Sequence, residues 1–341
     1  MFELPYFLHT YIHDQFEQLS QKSPQARQRL QQAVAQLSQN YLQAKPQAQS
    51  HLQGELAILA YLNTRLPATY AASADVMAQL QRIAPAWQPE HMVDLGAGLG
   101  SVSLAALQHY QPQQHLLFES EVRMIQQGRE IFEAGGYHGQ WQQGYLPQLP
   151  PTKHLNGPGL WSLGYVLNEL TANQRETLYA RLQAQLTSED VLVMIEPGTP
   201  AGYAHILEAR DAFLNTSETP WIVWGPCPHQ NDCPLPEGDW CHFAERLPRS
   251  PLHRDLKGGE RNFEDEKYSY LILSQQPAPQ PMTARLLRHP RQHKGHMQLR
   301  LCTETGIQDT VLSKKNPCYK ALKKANWGDG LDAKTTGSVL S

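Results

Sequence analysis

Met92-Val-Asp94-Leu-Gly96-Ala-Gly98-Leu-Gly100, running into Ser101 to Tyr110, is the stretch on which the fold turns. Met92 to Leu95 reads as a short buried strand and Ser101 to Tyr110 as a helix, with glycines at alternate positions between them. Glycine belongs in such a loop because the chain turns tightly there and its backbone must come close to a ligand. Working downstream, His115-Leu-Leu-Phe118 is a second strand, followed by a helix through Met124 and Ile131. Leu160-Trp-Ser-Leu163 is another strand, and Thr171 with Gln174 forms a capping-box pair opening a helix with Leu178, Leu182 and Leu186 on one face. Val191 to Ile195 is the next strand, and Thr199-Pro200 starts a helix carrying Tyr203, Ile206, Leu207 and Phe213. Repeated β-α units of this kind predict a parallel sheet covered on both faces.

Upstream, residues 1 to about 85 read as helical and rich in Gln and Ala. Ser23-Pro24 has the form of a cap and first-turn proline, and Leu30, Val34, Leu37 and Tyr41 fall on one stripe. Further helices are expected over Leu52 to Leu62 and Ala71 to Ile83. Beyond the β-α repeats, Trp221 to Trp224 and Tyr268 to Leu273 are strands separated by a loop of more than forty residues, rich in Pro, Cys, His and charge. A loop that long in a compact domain is usually functional or disordered. His296 to Cys302 and Ile307 to Leu312 flank Glu304-Thr-Gly306 as a hairpin. The expected divisions are a helical region over 1–85, an α/β domain over 86–281 with a cysteine-rich loop at 225–267, and an extension over 282–341.

Two ligands compete for the glycine loop. A nicotinamide dinucleotide prefers G-x-G-x-x-G with its pyrophosphate at the helix N-terminus. The spacing here is G-x-G-x-G, with Asp94 two residues ahead and Glu119 at the end of the next strand. That pattern favours S-adenosylmethionine: Asp94 would help neutralise its ammonium and Glu119 would take the ribose hydroxyls, leaving Gly96, Gly98 and Gly100 to cradle it. The expected fold is therefore α/β, a Rossmann-like class I methyltransferase sheet. Asn168, Glu169 and Glu196 are candidates to line an acceptor pocket, although each has a plainer reading as a helix cap or turn carboxylate. The Asn/Asp-Pro-Pro-aromatic motif of many base-amine methyltransferases is missing from Tyr165-Val-Leu-Asn168-Glu169-Leu170.

The chain has five cysteines, and none precedes Cys227. Cys227, Cys233 and Cys241 are spaced C-x5-C-x7-C, which argues for metal rather than for a disulfide framework. The paired knuckles of structural zinc sites are absent, and the wider spacing suits an iron–sulfur cluster better, with zinc the alternative. The compact C-x3-C-x2-C loop of radical S-adenosylmethionine enzymes is also absent. A fourth ligand could be Cys302, Cys318, His229 or His242; Cys302 is preferred because it ends a strand.

The net charge is −3, yet Met282 to Trp327 holds ten Lys or Arg against two acidic residues. That segment is either a solvated tail or a surface for a phosphate-rich partner. In the second case Arg285, Arg288, Arg291, Lys294, Lys314, Lys315, Lys320, Lys323 and Lys324 are the expected RNA contacts. No signal peptide, presequence or membrane span is expected from the sequence, which makes a cytoplasmic monomer the default.

Seven stretches, in order, carry a resemblance. They are Tyr61-Leu-Asn-Thr-Arg-Leu-Pro-Ala-Thr-Tyr70, Asp94 to Gly100, Tyr165 to Leu170, Glu196-Pro-Gly-Thr-Pro200, Cys227-Pro-His through Trp240-Cys-His-Phe243, Asp265-Glu-Lys-Tyr-Ser-Tyr270 and Asn326-Trp-Gly-Asp329. Together they resemble the methyltransferase-like assembly factors of the small ribosomal subunit, mitochondrial in eukaryotes and with bacterial relatives. The glycine loop is common to many methyltransferases, whereas the cysteine block is specific. The resemblance implies a 4Fe–4S cluster on Cys227, Cys233, Cys241 and Cys302, with Cys318 incidental. It also implies work on the small subunit or its RNA, and the lack of a match to a eukaryotic targeting region points to a bacterial member.

Overall fold

The computed structural model describes residues 3–22, 25–42, 54–216, 220–258 and 260–340. The Ser23-Pro24 cap and the side chain of Tyr41 lie outside the described residues. The N-terminal helices are α1 (Tyr6–Lys22), α2 (Ala26–Leu42) and α3 (Glu55–Ile83). The two helices expected over 52–83 are one, continuous through Pro67. Both faces of that helix are occupied, since Leu62 and Leu66 on one side and Ala60 and Ala71 on the other are all buried. Packing on this scale outweighs the local cost of a proline inside the helix.

The β-α units follow as β1 (His91–Leu95), α4 (Ser101–Ala106), β2 (Gln114–Glu119), α5 (Val122–Ala134), β3 (Gln140–Gln143), β4 (Gly159–Gly164), α6 (Ala172–Gln185), β5 (Val191–Pro197), α7 (Pro200–Leu214) and β6 (Ile222–Gly225). Next come β7 (Phe243–Pro248), α8 (Pro251–Lys257) and β8 (Phe263–Ser274). These strands form one sheet in the order β3-β2-β1-β4-β5-β8-β6, with β7 on the end of β8. The first five are parallel, while β8 runs antiparallel between β5 and β6. Strand order reverses between β1 and β4, so the crevice beyond their carboxyl ends is where this sheet type takes ligands. This is the Rossmann-like class I methyltransferase arrangement. Its strand β3, Gln-Trp-Gln-Gln, carries too little apolar signal to be read from sequence.

A second sheet contains β9 (Ala284–Leu286), β10 (Arg291–Gln292), β11 (His296–Thr303) and β12 (Gly306–Ser313), then α9 (Tyr319–Leu322), β13 (Gly330–Leu331) and α10 (Ala333–Leu340). It has its own core of Leu286, Met297, Leu299, Leu301 and Leu312. The N-terminal helices, by contrast, share a core with α4 and α5, where Leu8, Leu30 and Leu62 join Leu104, Ile131 and Phe132. No helix among the described residues is long and apolar enough to cross a membrane.

Candidate functional site

The glycine loop stands at the carboxyl end of β1 and is built from left-handed turns. Gly96 has φ of 71° and Gly100 has φ of 83°. A Cβ on Gly96 would fall 2.5 Å from Val166 Cγ2, and one on Gly100 would fall 2.5 Å from the Phe132 ring. Conformation and space both demand glycine at these two positions. Tyr165, at the end of β4, also has positive φ (63°). A buried tyrosine in that region is strained, and it stands beside the glycine loop at the mouth of the sheet.

The carboxylates around this loop are spoken for by the protein itself. Glu119 accepts from the Gly98 N–H at 2.8 Å, the Ser120 N–H at 2.7 Å and the Glu121 N–H at 2.9 Å. It thereby ties the glycine loop to the end of β2 while keeping slight exposure. Asp94 corrects an expectation. Rather than reaching toward a ligand ammonium it is fully buried, accepting from Ser103 Oγ and Ser162 Oγ, each at 2.7 Å. Strand β1 directs it between α4 and β4, and burial raises its pKa above the ordinary carboxylate value.

Glu196 is likewise buried instead of lining the mouth, and its Oε1 accepts from the Leu167 N–H at 2.8 Å. Burial, more than the neighbouring Glu169, pushes its carboxyl up to about 8. Asn168 and Glu169 sit in the short 3-10 turn over Leu167–Glu169, half-buried and exposed respectively. Solvent reaches Glu169, yet protein crowds it on most sides: desolvation first, then Glu119, raises its carboxyl to about 7. Of the three acceptor-pocket candidates, Glu169 alone is an exposed residue.

The second site lies where the two sheets meet. Cys227, Cys233, Cys241 and Cys302 line one cavity together with Tyr203, Arg210, His229 and Arg285. The loop bearing the first three is shaped by side-chain bonds to backbone. Gln230 accepts from the Val223 N–H at 2.8 Å and donates to the Val223 carbonyl at 3.1 Å. Trp240 Nε1 donates to the Gly198 carbonyl at 3.0 Å, Ser269 to the Cys241 carbonyl at 2.7 Å, and Asn231 to the Glu304 carbonyl at 3.3 Å. Cys302 comes from β11, directly across from Arg285 of β9.

All four thiols are free. Burial pushes the Cys227 and Cys241 thiols up, and burial with the neighbouring thiols takes Cys302 to about 12. The hydroxyl of Tyr203 lies 2.9 Å from Cys233 Sγ, and His229 Nε2 lies 3.4 Å from Cys302 Sγ. Among the described residues no group of three or more His, Cys, Asp or Glu is disposed to hold a metal ion. Cys318 instead packs against the C-terminal core, and His242 stacks on Trp240.

Of the residues expected to touch RNA, Lys294, Lys314, Lys315, Lys320, Lys323, Lys324 and Arg291 are exposed. Arg288 is half-buried, over the Trp327 ring and 3.4 Å from Asp239. Arg285 leaves this set. It is 1% exposed and donates to the Gly328 carbonyl and to Met282 Sδ. Its three-residue spacing from Arg288 and Arg291 suggests a stripe, but a strand ending at Leu286 turns Arg285 inward. Sequence reasoning placed Tyr203 on its helix without a role and missed Arg210. Both lie on α7, where an amphipathic pattern hides a polar residue on the inner face.

Residues 55–332 match the family described as mitochondrial small ribosomal subunit Rsm22. The chain belongs to this family. It is 26% identical over 300 residues to the human protein named ribosome assembly protein METTL17, mitochondrial, covering 81% of this chain and 63% of that protein. The chain thus spans under two thirds of that relative's length. Among solved structures, precorrin-6y C5,15-methyltransferase from Geobacter metallireducens aligns at 17% identity and a TM-score of 0.36, over 58% of this chain and 85% of its own. The ribosomal protein L11 methylase of Lactobacillus delbrueckii aligns at 14% and 0.33, over 59% and 76%.

Proposed function

We propose that this member of the Rsm22 family binds S-adenosylmethionine at the glycine loop, carries a 4Fe–4S cluster on its four convergent cysteines, and acts on the small ribosomal subunit or its RNA during assembly. The observation that carries the metal reading is the convergence of Cys227, Cys233 and Cys241 from one loop with Cys302 from the second sheet. Four thiols around one cavity, none of them in a disulfide, are a donor set for soft metals. The wide C-x5-C-x7-C spacing and the absence of paired knuckles favour the larger core of a cluster over zinc. Bound there, the cluster would tie the second sheet to the first, with Cys302 as the tie point.

For the cofactor, Gly96, Gly98 and Gly100 would provide the backbone cradle, and Glu119, slightly exposed at the end of β2, would meet the ribose. Bound S-adenosylmethionine supplies an activated methyl on its sulfonium. The exposed Arg291 and the lysines from Lys294 to Lys324, with Arg288 at their edge, form the RNA-facing surface. The reading as an assembly factor in which cofactor and cluster hold a docking shape draws on the enclosed carboxylates of Asp94 and Glu196. The alternative, methyl transfer to ribosomal RNA, draws on Glu169: a solvent-reachable carboxyl with a pKa of about 7 is suited to take a proton near neutrality.

Anaerobic purification followed by iron, sulfide and zinc analysis tests the cluster. Iron and sulfide are expected in the parent chain and in Cys318→Ser, and lost in Cys302→Ser; zinc without sulfide would overturn the reading. Transfer of labelled methyl to small-subunit RNA from a deletion strain separates the two activities.

A further inference from the structure

Arg210 and Arg285 are among the largest fully enclosed side chains of the described residues, at 2% and 1% exposure. They reach the same cavity from opposite sides of the junction, Arg210 from α7 on the first sheet and Arg285 from β9 of the second. The cavity is lined by two guanidiniums, four thiols and no carboxylate. Arg210 donates to the carbonyls of Asn231 and His229, and its nearest acid, Asp211, lies 3.8 Å away with its side chain 60% exposed. Arg285 rests near the Phe243 and Tyr270 rings and donates to a carbonyl and a thioether. In each case the buried Nε–H has no hydrogen-bond partner among the described residues.

Two enclosed cations facing no enclosed anion are costly, because burial of charge is tolerated only where it is paired. The anions available inside the cavity are the cysteine sulfurs. Four thiolates around a dipositive core form a dianion, and two guanidiniums balance it. We propose that Arg210 and Arg285 are the charge-balancing and positioning residues of the four-cysteine site, with the Tyr203 hydroxyl as a third, neutral donor on Cys233. The assignment rests on the metal reading above and goes beyond it: it names the residues that hold a thiolate-bound anionic centre at the junction and set its potential. Hydrogen bonds and positive charge around cluster sulfurs stabilise the more negative, reduced state and raise the potential.

The test uses the full chain, anaerobically reconstituted with iron and sulfide, as the parent and as Arg210→Met, Arg285→Met, Arg210→Lys, Arg285→Lys and Tyr203→Phe. Iron and sulfide content, the rate of iron loss to a chelator, and the midpoint potential from an EPR-monitored titration are read for each. Each Met variant should lose iron about tenfold faster and show a lower potential. The Lys variants, which keep the charge, should recover the potential. Tyr203→Phe should keep full iron content with a potential shifted in the same direction. Parent-like potential and iron loss in the loaded variants would overturn the proposal while leaving the cluster reading intact. Should the Met variants not fold, an unshifted potential in Tyr203→Phe together with parent-like iron loss in both Lys variants would overturn it. A parent that takes up zinc alone removes the iron–sulfur reading, and zinc-loss rates then decide the arginines. A parent that takes up no metal removes both.

Discussion

The crevice above β1 and the junction between the two sheets handle buried polar groups in opposite ways. Around the glycine loop the protein answers most of its own charge: Asp94 has two serine hydroxyls and Glu119 has three backbone N–H groups, while Glu196 has the Leu167 N–H on Oε1 and no partner on Oε2 among the described residues. At the junction, the four thiols face two guanidiniums whose Nε–H groups have no partner among the described residues. The first region is pre-shaped by internal hydrogen bonds, so a ligand there adds to a finished surface. The second gathers soft donors and positive charge, which the proposed anionic metal–thiolate centre would satisfy. One site is finished by its own hydrogen bonds, and the other leaves buried donors open.

The contrast can be broken at several points. If the crevice is shaped internally, Asp94→Ala should destabilise the fold itself by about 2 kcal/mol, by stranding the Ser162 hydroxyl and leaving Ser103 only its contact with His115 Nε2. Denaturant unfolding checks this, and an unchanged midpoint with weakened S-adenosylmethionine binding would return Asp94 to the role of ligand. Glu196 provides a pH test. Its folded pKa, about 8, lies above the unfolded value near 4.5, so the native state holds the extra proton between them. Stability is therefore full below about pH 4.5 and falls as pH rises through 8, by on the order of 2–4 kcal/mol. Glu196→Gln should flatten that slope in unfolding curves taken between pH 5 and 8.

Smaller effects sharpen the same comparison. Glu119→Gln keeps one acceptor but turns an amide N–H toward backbone donors, so unfolding should show a loss of about 1–2 kcal/mol and calorimetry about tenfold weaker S-adenosylmethionine binding. Smallest is the basic surface. Lys314→Ala with Lys315→Ala should weaken RNA binding uniformly across sequences and lower the salt slope by about 2. A slope that does not change would remove these lysines from the interface.

Much of the first sheet is legible without coordinates. Strands β1, β2, β4 and β5 are short and apolar, the helices between them show their stripes and caps, and the glycines mark the turn at the mouth. The edge strand β3 is not legible, because Gln-Trp-Gln-Gln leaves most of its side chains in water and carries no apolar pattern. The carboxylates were legible as candidates but not in their roles. Asp94 and Glu196 are placed at strand ends by sequence, yet the neighbour that takes each oxygen comes from residues up to 68 positions away.

The sequence by itself determined the Rossmann-like core, the family and the clustering of three cysteines in one loop. Local propensity, turn chemistry and spacing are short-range properties, and they survive in a linear string. Cys302 is already the preferred partner of the loop cysteines from sequence, but only the tertiary structure decided that Arg285 faces inward beside Cys302 and that Arg210 enters the same cavity. Those choices depend on strand register across the second sheet and on which face of β9 and β11 meets the first. Long-range pairing of that kind leaves no local trace.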